Sequence, residues 1–216
     1  KEKLIEDGIP FVLKDKQIYL PFIGCLLSNS GERDIAPVEL ISFLTQKLIL
    51  TAIYEKWDKV TVSTAAEKLG VSKTSASRCF DEIEYLNANI IDTKGKSRAI
   101  TIPTDIKQLW KQIQHILRKP VIRRYAFPND IHLEKKAGIT ALCEYSLLSD
   151  NDFPTYGVTK KELADTEIKK LKQIRRGEEI GCVVLELGYF IDYGQKSIQD
   201  PLSIALSLTD EEKQDE

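Results

Sequence analysis

Metal-ligand spacing is missing from this chain. Its four cysteines, Cys25, Cys79, Cys143 and Cys182, lie far apart with no C-x-x-C pair, and its two histidines, His115 and His132, do not stand at ligand spacing. Neither a zinc site nor a disulfide framework is expected. Long apolar runs are missing too. No segment approaches the ~20 apolar residues that span a bilayer, and Lys1-Glu2-Lys3-Leu4-Ile5-Glu6-Asp7 has no hydrophobic signal core before its acids, so the chain reads as cytoplasmic. No glycine loop suited to phosphate occurs. Asp150, Asp152, Glu178, Glu179 and Glu186 lack an accompanying nucleophile and base, so neither an enzyme nor a cofactor is expected.

What is there is ordinary globular material with an uneven charge. Of 216 residues, 42% are hydrophobic and 30% charged, far from the composition of a disordered chain. The net charge of −2 conceals a polarity: residues 1–124 hold 20 Lys and Arg against 15 Asp and Glu, and residues 125–216 hold 11 against 18. Between 94 and 124 nine basic residues stand against Asp105 alone. That stretch suits a phosphate-facing surface.

The chain opens with two extended runs, Pro10–Leu13 and Gln17–Leu27, rich in aromatic and β-branched residues, which read as a β-hairpin. Ser28-Asn29-Ser30-Gly31 then marks a boundary. Pro37 suits a first helical turn, and apolar residues at 40, 41, 44, 48, 49, 52 and 53 predict a mostly buried helix from Val38 to Trp57. After a short extended run at Val60–Val62, the spacing of Thr64 and Glu67 suits a capping box for a helix ending at Leu69. Gly70 supplies a left-handed stop, and Ser72 caps a helix from Lys73 to about Leu86. Two capped helices with a three-residue turn form a helix-turn-helix pattern.

In the second of these helices Ala76, Cys79, Phe80, Ile83 and Leu86 make one apolar stripe that must face the core. The opposite face of its first half carries Lys73, Thr74, Ser77 and Arg78 beside Ser72 and Ser75, while the acids Asp81, Glu82 and Glu84 come only later. A helix end with hydroxyl and cationic donors and no carboxylate suits insertion into a DNA major groove. Downstream, Asn89–Thr93 and Arg98–Ile102 read as two short strands around a basic turn, a hairpin whose Lys94, Lys96, Ser97 and Arg98 would meet phosphate or the minor groove. The expected DNA contacts are therefore Thr64, Ser72, Lys73, Thr74, Ser75, Ser77, Arg78, Lys94, Lys96, Ser97 and Arg98.

On these motifs residues 37–104 resemble the winged-helix domain of MarR-type transcriptional regulators. The likeness rests on the long helix, the run Thr64-Ala65-Ala66-Glu67-Lys68-Leu69-Gly70-Val71-Ser72, the helix after it, and a wing with Asp92, Arg98 and Ile100-Thr101. Where that family's wing usually carries Asp-x-Arg, this chain has Asp92-Thr93-Lys94, which keeps the charge and loses the bidentate fork. Ala137–Leu142, Pro154–Val158 and Asp200–Leu208 are similar to the C-terminal domain of AbiE-type antitoxin regulators, which implies an autoregulating or operon-specific repressor and a protein partner.

The remaining pattern predicts a helix 105–118 capped by Thr104, strands at 121–127, 155–159 and 182–192, and helices at 137–148, 160–174 and 201–208. The expected fold is α+β: an N-terminal hairpin (1–36), a winged helix-turn-helix domain (37–104), a linker helix (105–120) and a mixed α/β domain (121–216) whose sheet the hairpin completes. The expected function is a homodimeric, sequence-specific regulator of double-stranded DNA without metal. The alternative is an antitoxin-like module that neutralises a partner through its acidic C-terminal half.

Overall fold

A computed structural model describes residues 9–13, 17–20, 25–28, 40–86, 90–94, 97–175, 177–191 and 197–208. They form a mixed α+β structure in two compact units, Lys1–Val38 and Glu39–Glu216. In the first unit, β1 (Phe11–Leu13), β2 (Gln17–Leu20) and β3 (Cys25–Ser28) make an antiparallel meander with Phe11 opposite Tyr19 and Ile18 opposite Leu27. The run expected over Gln17–Leu27 is thus two strands, and the sequence between them contains Pro21, which has no N–H to give to a ladder.

The second unit is organised around α1 (Phe43–Tyr54). Ser42 starts it: the hydroxyl accepts from the Thr45 amide at 3.2 Å, so the helix begins later than the expected Val38. It stops at Glu55, ahead of the left-handed Lys56 and Lys59 (φ +49° and +51°). Leu48, Ile49, Leu50, Ala52 and Ile53 are all buried, as in a helix covered on every side. The same core takes in Phe80 and Ile83 on one flank, Leu109 and Ile113 on another, and Tyr189 and Ile191 from the C-terminal part, with Leu202 and Leu206 packed against it.

Around α1 stand α2 (Val62–Leu69) and α3 (Lys73–Tyr85), then β4 (Val60–Thr61), β5 (Ile91–Lys94) and β6 (Ser97–Ile100), which form a sheet of order β4-β6-β5. Next comes α4 (Ile106–Ile113), which Asp105 caps rather than Thr104, since its carboxylate accepts from the Gln108 amide at 2.9 Å. A 3-10 turn over Gln114–Ile116 ends it short of the expected 118. The helix expected as a linker therefore packs into the central core, and the segments expected as separate domains at 37–104 and 121–216 fall within one compact unit from residue 39 onward.

The C-terminal sheet has the order β7-β9-β8, from Val121–Phe127, Cys182–Leu187 and Thr155–Thr159, with β7 antiparallel and β8 parallel to the fully buried β9. The expected completion of this sheet by the N-terminal hairpin is corrected. Among the described residues the sheet has these three strands alone, and β2 already has β1 on one edge and β3 on the other. Helices α5 (Gly138–Cys143), α6 (Lys160–Asp165) and α7 (Pro201–Ser207) flank it, the first two shorter than their patterns predict. In α6 the pattern continues as a 3-10 turn over Glu167–Lys170 because Thr166 is extended. No helix of the described residues is long and apolar enough to cross a membrane.

Candidate nucleic-acid interface

The turn between α2 and α3 follows from three residues. Thr61 caps α2, its hydroxyl accepting from the Thr64 amide at 3.4 Å, so α2 starts one turn earlier than the expected Thr64 cap, and Thr64 lies exposed in the first turn with its own hydroxyl 3.1 Å from that of Thr61. Gly70 ends α2 at φ +64°, ψ +36°, a left-handed conformation that a side chain resists. Ser72 then accepts from the Ser75 amide at 3.1 Å and opens α3. The Ser72 and Ser75 hydroxyls are 2.9 Å apart, so this pair is already engaged with itself.

Ala76, Cys79, Phe80 and Ile83 are buried and fix how α3 is rotated. What remains outward is the first half: Ser72, Lys73, Thr74 and Arg78 are exposed, Ser75 and Ser77 half-buried, and no acid occupies the first turn. Among the described residues Lys73 and Arg78 have no ion-pair or hydrogen-bonding partner. Lys73 stands at the positive end of this 13-residue helix, where the dipole favours an anion, and Arg78 lies in its second turn.

The hairpin lies against the same helix. Lys94 is opposite Ser97, which is exposed, across residues 95 and 96. Lys96 and the Lys94 side chain lie outside the described residues. Arg98, expected with them on phosphate, is turned the other way. Its Nη1 donates to Asp81 Oδ1 at 2.6 Å and to Glu84 Oε2 at 3.1 Å, and its Nη2 donates to Ser77 Oγ at 2.8 Å. The guanidinium also sits over the Phe80 ring at 5.7 Å. Burial works against its charge, yet the bonds to Asp81 and Glu84 raise its pKa further. Arg98 and Ser77 are thus fasteners between hairpin and helix. A signal existed in the sequence, since Asp81 and Glu84 are three apart and share one helical face.

Asp92, on β5, accepts from Thr101 Oγ1 at 3.0 Å, and that same Thr101 oxygen accepts from the Lys59 amide at 3.2 Å. The base of the hairpin is tied to the end of the α1 turn in this way. Sequence reasoning also missed the polar junction behind α1. Gln46 donates to Tyr189 Oη and to the Arg118 carbonyl, each at 2.9 Å, and accepts from the Arg118 amide at 2.7 Å. Ser203 donates to the same Tyr189 oxygen at 2.9 Å. Single polar residues inside apolar stripes give no periodic signal, so only the packed structure assembles them.

Comparison of the chain with protein-family models, with curated proteins and with solved structures finds no match. The likeness to MarR-type and AbiE-type regulators therefore rests on the residues of this chain alone.

Proposed function

We propose that residues 37–104 act as a winged helix-turn-helix that binds double-stranded DNA, and that the protein is a sequence-specific transcriptional regulator, a repressor in its simplest form. The observation that carries this reading is the outward first half of α3, where Lys73, Thr74 and Arg78 are exposed and the first turn holds no acid. In the proposed complex this half enters the major groove, Arg78 or Lys73 reaching guanine acceptors and the hydroxyls of Ser72 and Thr74 making phosphate or short base contacts. The acids that would repel DNA stand further along α3, where Arg98 neutralises Asp81 and Glu84. The basic tip with Lys94 and Lys96 supplies backbone contacts beside it.

A homodimer would place two such helices about one DNA turn apart and select a palindromic site. The test is selection from a randomised duplex library with the full chain, followed by fluorescence-anisotropy titration of the enriched site against a scrambled one. Enrichment of a motif with at least 100-fold preference at about 150 mM salt is expected. Equal affinity for both duplexes would sink the proposal.

A further inference from the structure

The β7-β9-β8 sheet presents one face whose residues follow from register. Arg124 is opposite Leu185, and Thr155 is opposite Val183, so these four side chains project to the same side. Helix α5 comes close to that side at its first residue. Gly138 is left-handed (φ +55°), and a Cβ there would stand 3.3 Å from Thr155 Cγ2 and 3.4 Å from Leu185 Cδ1. The helix is short, however, and the end of α7 does not close the gap. A cavity of about 120 Å3 remains between the sheet, α5 and the end of α7.

Its floor and walls are aliphatic, from Ile139, Val183, Leu185 and Leu208, and its polar edge includes Arg124 and Asn151. Arg124 brings the single charge of the lining among the described residues. Neither Arg124 nor Asn151 has a side-chain hydrogen bond or ion pair among those residues. The volume lies a little below the ~150 Å3 of an engineered apolar cavity that accepts benzene, so about five or six carbon atoms fill it. A guanidinium without a partner beside such a cavity calls for a planar anion, which it holds with two parallel hydrogen bonds.

We propose that this cavity binds a small branched aliphatic monocarboxylate, the alkyl body on Ile139, Val183, Leu185 and Leu208 and the carboxylate on Arg124, with the Asn151 amide as a further donor. A cation is repelled there, and inorganic phosphate leaves the aliphatic surface empty. The site is separate from α3, and neither proposal needs the other.

The experiment uses the full chain and 4-methylpentanoate as the probe, read by calorimetry and by ligand-observed NMR, with 4-methylpentanamide and inorganic phosphate as comparisons and Arg124→Gln as the variant. Arg124 is exposed on its strand, so the variant folds, which an unchanged melting temperature without ligand verifies. Saturable binding of the acid is expected, at least tenfold tighter than the amide or phosphate, and at least tenfold weaker in R124Q. Absence of saturable binding overturns the proposal. Equal binding of acid and amide, equal binding of acid and phosphate, or unchanged affinity in R124Q each overturns it as well.

Discussion

Tyr54 Oη donates to Asp200 Oδ1 at 2.8 Å, which joins the last turn of α1 to the residue that caps α7. The same carboxylate oxygen accepts from the Ser203 amide at 3.0 Å, while Asp200 Oδ2 has no partner among the described residues and the side chain is fully buried. Burial outweighs the hydrogen bonds from Ser203 and Tyr54 and holds the Asp200 pKa above the usual carboxylate value.

A raised carboxylate pKa means that the folded state keeps its proton more readily than the unfolded chain. The stability this group contributes is complete below the ordinary carboxylate pKa and is lost as pH rises through its folded value. Asp200→Asn imitates the protonated form and keeps the Oδ1 acceptor. Urea midpoints of the two proteins should diverge as pH rises above the ordinary carboxylate value of about 4, the variant gaining on the wild type. A difference that stays constant as pH rises would remove Asp200 from the pH response.

Arg98→Ala should cost about 1–2 kcal/mol in a denaturation experiment, because it removes the guanidinium that bridges Asp81, Glu84 and Ser77 and a partly buried charge pair is worth more than an exposed one. It should also weaken DNA binding even though its guanidinium faces the protein, since the positive charge that offsets two carboxylates of α3 is then gone. Wild-type stability in the variant would mean that the hairpin is held by other contacts.

Arg78→Ala separates reading from folding. Arg78 is exposed and without a partner among the described residues, so its loss should leave the melting temperature unchanged. Affinity for the selected site should drop by about 1–3 kcal/mol with relaxed base preference. Lys96→Ala should instead weaken all duplexes evenly and reduce the salt slope by about 1. Salt titrations on cognate and scrambled DNA distinguish the two patterns, and identical behaviour of both variants would refute the assignment of roles.

Gly188→Ala should destabilise by about 1–3 kcal/mol through overpacking. A Cβ at Gly188 would come within 2.5 Å of the Phe43 ring, and that ring is itself fixed by Arg118 at 5.5 Å and by Tyr189 at a centroid distance of 6.3 Å. Guanidinium midpoints measure it. Restoration by the added change Phe43→Leu would identify the clash as the cause.

Local signals in the sequence carried well. Gly70, Ser72 and the Ala76–Ile83 stripe define α3 to within a residue, because a left-handed glycine, a serine cap and a 3.6-residue period act over one or two turns. Strands at Val121–Phe127 and Thr155–Thr159 appear as expected for the same reason. Long-range choices did not carry. The inward turn of Arg98 depends on two acids more than ten positions away, and the joining of 105–117 to the core of α1 involves Ile41, whose amide donates to the Ile116 carbonyl at 3.1 Å and which no window around α4 contains. Helix ends were misplaced where a nearer cap competed, Thr61 for Thr64 and Asp105 for Thr104.

The burial of α1 on all sides also has a consequence in time. Its cover includes Tyr189, Ile191, Leu202 and Leu206, which leave the ribosome after residues 40–104 have all emerged, and synthesis runs at about 5–20 residues per second. For several seconds the nascent α1 carries an apolar flank without this part of its cover. The core behind the surface proposed to read DNA is complete only when that late segment arrives.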